Sequence, residues 1–237
     1  MTWLDSPMLA FDLESTGVDV ETDRIVTAAT VAVDPVKRSS KLMDWLVDPG
    51  IEIPAEATAI HGITTEYARA EGAQPSKALV EITHKLYDAW EEGRAVVAFN
   101  AAFDLTLLDR ELARHGHGGL TIGGPVIDPS IIDRAVDPYR KGKRTLADVC
   151  AHYGVTQTDA HMASGDALAA ARLAWKLPRV FPEIAAMKLD ELHQKQIEWR
   201  EAWAMNFQEY LQRQGKYEEI DGAWPMRTAP VLQGEQS

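Results

Sequence analysis

A three-layer α/β domain with a mixed sheet follows from the order of elements that the sequence predicts. Three β-rich runs come first, joined by short connections, as in a meander. Later runs are shorter, and they alternate with segments whose apolar residues recur at helical spacing. The chain is 46% hydrophobic and 25% charged over 237 residues, enough for one large domain with an extension. No window approaches about 18 uninterrupted apolar residues, so no membrane span is expected.

Residues 8–14, MLAFDLE, form the first predicted strand, apolar at Met8, Leu9, Ala10, Phe11 and Leu13. Residues 24–34 are β-branched and apolar, stop at Pro35, and read as the second strand. Residues 41–48 read as the third, closed by Asp48-Pro49-Gly50. The Ala- and Thr-rich segment 53–68 predicts short helical turns. Residues 76–92 carry a helical stripe, Leu79, Ile82, Leu86, Ala89 and Trp90, behind a Pro75-Ser76 cap. A buried strand over 94–99 precedes a helix over 103–115, and a fifth strand over 125–128 precedes helices over 144–153 and 164–177. Pro178 and Pro182 then punctuate the chain. Residues 183–214 form a long, charge-rich helical pattern, and the last twenty or so residues, with Gly215, Gly222, Pro225, Pro230 and Gly234, read as irregular. This divides the chain into a domain over 1–178 and a C-terminal helical extension with its tail over 179–237.

The net charge of −12 argues against broad, nonspecific coating of nucleic acid but leaves room for a small local footprint. One basic cluster stands against the acidic background: Arg134, Arg140, Lys141, Lys143 and Arg144. A solvated loop is the competing reading of it. The single cysteine, Cys150, excludes an intrachain disulfide, fits a cytoplasmic setting, and lies in an apolar helical pattern that predicts core packing. The N-terminus has no basic stretch and meets Asp5 early, so no secretory signal is expected.

Two acids, Asp12 and Glu14, stand at the end of the first strand with one residue between them. Alternation puts both on one face, their Cα atoms roughly 6.5–7 Å apart. Like charges that close repel, and removing them from water costs several kcal/mol each unless something compensates. Either the strand ends there in a solvated turn, or a cation completes the site. Two carboxylates on one face are hard-oxygen ligands suited to Mg²⁺ or Mn²⁺. Asp104 falls in the first turn of a predicted helix, where a carboxylate is favoured electrostatically, so helix capping is the alternative to a ligand role; Asp166 also falls in a first turn, on a strongly apolar helix whose face goes into the core or a cleft. His161 stands five residues before Asp166, in a loop or at the helix entry.

Taken together, FDLESTG, NAAFDLTLL and HMASGDALAA resemble the three motifs of the DEDDh exonucleases of the DnaQ-like superfamily, relatives of the proofreading ε subunit of bacterial replicative polymerases. The resemblance runs over about residues 8–177, in order, and AIHGIT (59–64) also resembles a segment of this family. It implies a ribonuclease H-like fold with a five-stranded mixed sheet and a 3′–5′ exonuclease releasing nucleoside 5′-monophosphates. It further implies that Asp12, Glu14, Asp104 and Asp166 hold two divalent cations, Mg²⁺ or Mn²⁺, and that His161 is the general base. By the same resemblance, backbone groups of Ser15, Thr16 and Gly17 meet the terminal nucleotide. His61 borders the terminal-base pocket, Asn100 meets a phosphate, Phe103 stacks a base, and Arg140, Lys141, Lys143 and Arg144 track the strand. Each of these has a plain structural alternative: a turn, a helix histidine, a strand-to-helix corner, core packing and a solvated loop. DNA is favoured over RNA, with RNA 3′-end trimming and a non-catalytic binding module as the alternatives. Trp199, Trp203 and Trp224 in the extension either dock a polymerase or a second copy of the chain, or fold back on the domain.

Overall fold

The computed structural model describes residues 3–158 and 160–229. A five-stranded sheet has the order β3-β2-β1-β4-β5. Its strands are β1 (Met8–Ser15), β2 (Ile25–Asp34), β3 (Ser39–Leu46), β4 (Ala95–Val97) and β5 (Val126–Ile127). β1, β2 and β3 pair antiparallel as the meander expected from sequence, while β4 and β5 join parallel to β1. The sheet is therefore mixed, with the five strands the ribonuclease H-like expectation requires.

The helices are α1 (Ala55–His61), α2 (Thr65–Glu71), α3 (Pro75–Glu91), α4 (Ala101–Arg114), α5 (Pro129–Val136), α6 (Leu146–Tyr153), α7 (Ala163–Val180), α8 (Pro182–Ala186) and α9 (Leu189–Arg213). The alternation of β1 sorts the two layers. Leu9, Phe11 and Leu13 pack with Leu79, Ile82 and Leu86 of α3 and Leu105 and Leu108 of α4. Met8 and Ala10 pack on the opposite face with the alanines of α7 and with Ile132, Val149 and Cys150. Small side chains along α7 (Ala167, Ala170, Ala171, Ala174) let that helix lie close to the sheet.

The structure departs from the sequence expectations in three places. α5 stands where the sequence pattern predicts no helix; Asp128 caps it, accepting from the Ser130 N–H at 2.9 Å, and Pro129 takes its first position, where a missing N–H costs nothing. α7 runs through Pro178, which is buried in its last turn. The long pattern over 183–214 breaks at Met187, and α9 begins afresh where the Glu191 carboxylate accepts from the Lys188 N–H at 3.4 Å.

The C-terminal part folds back on the domain. Ile184 and Leu192 are buried in the α7 layer, Trp224 in the α3/α4 layer, and Trp199 packs against both. α9 also closes the short β5 edge with side chains. Gln196 accepts from the Asp128 N–H at 2.7 Å and donates to the Val126 carbonyl at 2.9 Å. His193 Nδ1 accepts from the Val126 N–H at 3.0 Å. These bonds substitute for the sixth strand that the edge lacks.

Candidate active site

β1 and β4 lie side by side and parallel at the centre of the sheet. From there the chain turns to β2 on one side and, through α4, to β5 on the other. In open α/β sheets the crevice outside the carboxyl ends at such a reversal is where ligands bind. β1 outruns β4: pairing stops at Ala10–Val97, and β1 continues to Ser15.

Asp12 and Glu14 continue the face that begins with Met8 and Ala10, the face that α7 covers. α7 starts at Ala163 and brings Asp166 in its first turn. Carboxylate oxygens of Asp12, Glu14 and Asp166 all lie within 4.8 Å of one another. Asp104, buried in the first turn of α4, accepts a hydrogen bond from the Leu13 N–H at 3.0 Å, a group left without a strand partner where β4 ends. It thereby pins the start of α4 to β1, beside the trio rather than within it.

Burial and mutual repulsion dominate the electrostatics. Burial pushes Asp12 well above the usual carboxylate range, and the charges of Asp104, Glu14 and Asp166 push it further. Asp104 is likewise raised, first by burial and then by Asp128 and Glu14, against the lowering effect of the Leu13 N–H. Glu14 rises to about 7, through burial and then the charge of Asp166. Among the described residues no Lys or Arg offsets these charges. A hard, all-oxygen donor set with unopposed negative charge fits a divalent cation such as Mg²⁺ or Mn²⁺.

His161 has left-handed backbone geometry (φ 64°) and its N–H donates to Asp166 Oδ2 at 3.3 Å. With Glu14 and His61 it lines a cleft of about 250 Å³ over β2 and β3. His61 ends α1; its Nδ1 accepts from the Ile63 N–H, while its Nε2 is buried without a partner among the described residues. Gln157, which sequence reasoning passed over, donates to Asp166 Oδ1 at 2.7 Å. Nothing in its loop marks it; only the fold brings it to the carboxylate.

The remaining candidates separate. Thr16 is buried, its N–H donates to the Arg24 carbonyl and its hydroxyl to Asp23, so neither group is free for a nucleotide. Ser15 Oγ donates to the Gly17 carbonyl, and a Cβ at Gly17 would stand 2.5 Å from the Asp23 carboxylate, which explains glycine there. Asn100 holds φ 65°, caps α4 through its backbone, and turns away to a different cavity. Phe103 is half-buried against the α3/α4 core with the Arg227 guanidinium over its ring. Arg140 and Arg144 both pair with the buried Asp133, at 2.7 and 2.8 Å, and Arg144 also donates to the Asp137 carbonyl. Their guanidiniums tie the 137–145 loop to α5, because one buried carboxylate needs that much compensation. Lys141 and Lys143 remain exposed.

A family model described as exonuclease (RNase_T) matches residues 9–174. A DNA polymerase III subunit epsilon-like protein of Rhodobacter capsulatus is 32% identical over 167 residues, 69% of this chain and 22% of the relative. A PolC-type DNA polymerase III of Lacticaseibacillus paracasei is 28% identical over 174 residues, 72% of this chain and 11% of the relative. The chain therefore spans a minor part of these curated relatives. Among solved structures, E. coli exonuclease I in complex with a dA16 oligonucleotide superposes with a TM-score of 0.64 at 19% identity, over 76% of this chain and 42% of that one. Exonuclease I of Methylocaldum szegediense gives a TM-score of 0.60 at 19% identity, over 76% and 42%. With the three motifs gathered at one end of β1, the chain belongs to the exonuclease family, within the DnaQ-like 3′–5′ exonuclease superfamily.

Proposed function

We propose that this chain hydrolyses the terminal phosphodiester of a DNA strand, single-stranded or frayed at its 3′ end, and releases nucleoside 5′-monophosphates. The observation that carries this is the convergence of Asp12, Glu14 and Asp166 within 4.8 Å, with Asp104 tied to the same strand. These four carboxylates would hold two divalent cations, Mg²⁺ or Mn²⁺. Bound there, the ions supply a water of lowered pKa and positive charge beside the reacting phosphate. His161, on the rim of the cleft that Glu14 lines, accepts the proton of the attacking water through its imidazole. Its loop position allows it to approach only when substrate fills the cleft. Gln157 holds Asp166 in place by its amide. His61 borders the terminal nucleotide on the other wall.

DNA is favoured over RNA because FDLESTG with HGIT resembles the DNA-acting branch, and because the similar exonuclease I structures include complexes with dA16 and dT13 oligonucleotides. The names of the curated relatives support association with a replicative polymerase. The exposed Met205, Phe207 and Tyr210 on α9 offer the surface for that partner or for a second copy of the chain. No helix among the described residues is long and apolar enough to cross a membrane. We place the protein in the cytoplasm, where a lone, unpaired Cys150 is at home.

The test is a 5′-labelled single-stranded oligonucleotide incubated with Mg²⁺ or Mn²⁺, beside a mismatched duplex and an RNA of the same sequence. A ladder that shortens from the 3′ end, disappears in EDTA and runs fastest on the DNA supports the reading. No cleavage with either ion, or cleavage that persists in chelator, overturns it.

A further inference from the structure

A second cavity, of about 500 Å³, lies between α5 and α9 and is bounded by Asn100 and Ala102 at the start of α4. Its wall is unlike the rest of this acidic protein. Arg134 of α5, Arg144 and Arg200 of α9 line it, with Trp199 and Trp203 of α9 and with Asn100 at the end nearest α4. The Trp203 ring holds two of these guanidiniums, Arg134 at 5.1 Å and Arg200 at 4.7 Å from its centroid.

The three arginines differ in how they are satisfied. Arg144 is neutralised by Asp133. Arg200 donates to the Asp221 carbonyl, and its Nε is buried without a partner among the described residues. Arg134 is half-buried, and among the described residues it makes neither a salt bridge nor a hydrogen bond. Burial lowers the proton affinity of both Arg134 and Arg200; the charges of Arg144 and Arg140 lower Arg134 further and those of Arg227 and Arg134 lower Arg200, against the carboxylates of Asp133, Asp128 and Asp221. Asp128 also reaches the wall, but its carboxylate already accepts from the N–H groups of Asn100, Ala101 and Ser130. The site is thus preorganised for an anion that the protein itself does not provide.

The Trp203 ring stacks on Phe207, 5.2 Å between centroids, and carries both guanidiniums, so it orients the arginines rather than offering a face to a base; converging guanidiniums match a phosphodiester, and the volume is within the range of about 300–1,000 Å³ that encloses ligands. Asn100, the N-cap of α4, lines the cavity and stands four residues before Asp104, so the α4 N-terminus links the two sites. We propose that this cavity receives the upstream part of the substrate strand, one phosphodiester between Arg134 and Arg200 as Trp203 positions them, while the 3′ end lies at the carboxylates. The proposal rests on the exonuclease reading for the position of the 3′ end. It assigns the C-terminal helix a substrate-binding role in addition to its packing.

The test uses the full chain with Arg134→Gln, which removes no hydrogen bond seen in the structure, and Trp203→Ala. Binding of a fluorescein-labelled twelve-residue oligothymidylate is followed by anisotropy in EDTA, and hydrolysis of the same strand and of thymidine 5′-(p-nitrophenyl phosphate) is followed in Mn²⁺. Each variant should weaken strand binding about tenfold or more and raise KM on the strand in proportion. The kcat at saturation and the rate on the small ester should match the wild type. Arg134→Gln should also lower the salt dependence of binding by about one counterion. Unchanged strand affinity and KM would overturn the proposal. So would an equal loss on the small ester, which places the effect in the fold or the cleft, or weakened competition by thymidine monophosphate alone, which makes the cavity a mononucleotide site. If the wild type hydrolyses neither compound, the exonuclease reading falls by itself, and the anisotropy arm still decides whether the cavity binds a strand.

Discussion

Glu14→Gln should stabilise the metal-free protein at pH 8 and leave it unchanged at pH 4.5. In the fold the Glu14 carboxyl is carried from an ordinary 4.5 to about 7, first by burial and then by the charge of Asp166. At about 1.4 kcal/mol for each tenfold change in proton affinity, that is about 3 kcal/mol, and about 2 kcal/mol once the remaining water contact of this half-buried group is allowed for. The sign follows from linkage. At pH 4.5 the folded carboxyl is protonated and the unfolded one about half so, and the penalty is small; it vanishes at lower pH. Between 4.5 and 7 the unfolded chain gives up a proton that the folded chain keeps, so stability falls as pH rises and the whole penalty is present above about 7. Glutamine cannot ionise and escapes it. At roughly 2–4 °C per kcal/mol for a chain of this size, the variant should melt about 4–8 °C above the wild type in EDTA at pH 8. Melting followed by circular dichroism at the two pH values measures this, and saturating Mg²⁺ should shrink or reverse the gain, since the wild type then recovers a ligand. Equal melting temperatures at pH 8, or a gain of the same size at both pH values, would refute the argument from charge crowding.

The other expectations concern activity and the C-terminal brace. Asp12→Ala and Asp166→Ala should each remove nearly all hydrolysis while the circular dichroism spectrum stays native, because each deletes one of the three converging carboxylates. A substantial residual turnover at saturating metal in either variant would show that residue not to be a ligand. His161→Ala should lower the rate on the order of 10²–10⁴-fold with metal affinity retained, and it should flatten the rise of activity with pH that a neutral imidazole acceptor imposes. A near wild-type rate with an unchanged pH profile would leave His161 an ordinary loop residue. Gln196→Ala should cost about 2–5 kcal/mol in urea unfolding, because the buried Asp128 N–H and Val126 carbonyl lose their partners; a loss below about 1 kcal/mol would mean that α9 does not brace the sheet edge.

The three motifs, the meander and the parallel strands were legible in the chain because they rest on local rules. Alternation alone places Asp12 and Glu14 on one face, and helical spacing alone places Asp104 and Asp166 in first turns. Those rules act over a few residues, and the order of motifs along the chain carries them into a family. Only the tertiary structure decided how far apart the four carboxylates stand, that Gln157 and the Leu13 N–H complete their surroundings, and that Arg140 and Arg144 serve Asp133. It also decided that the extension closes the β5 edge through Gln196 and His193. Each of these joins residues distant in sequence, and which buried polar group finds which partner depends on packing that no local pattern encodes. The same physics sets the arginines of α5 and α9 around Trp203: side chains 66 positions apart meet only after the core has chosen where α9 lies.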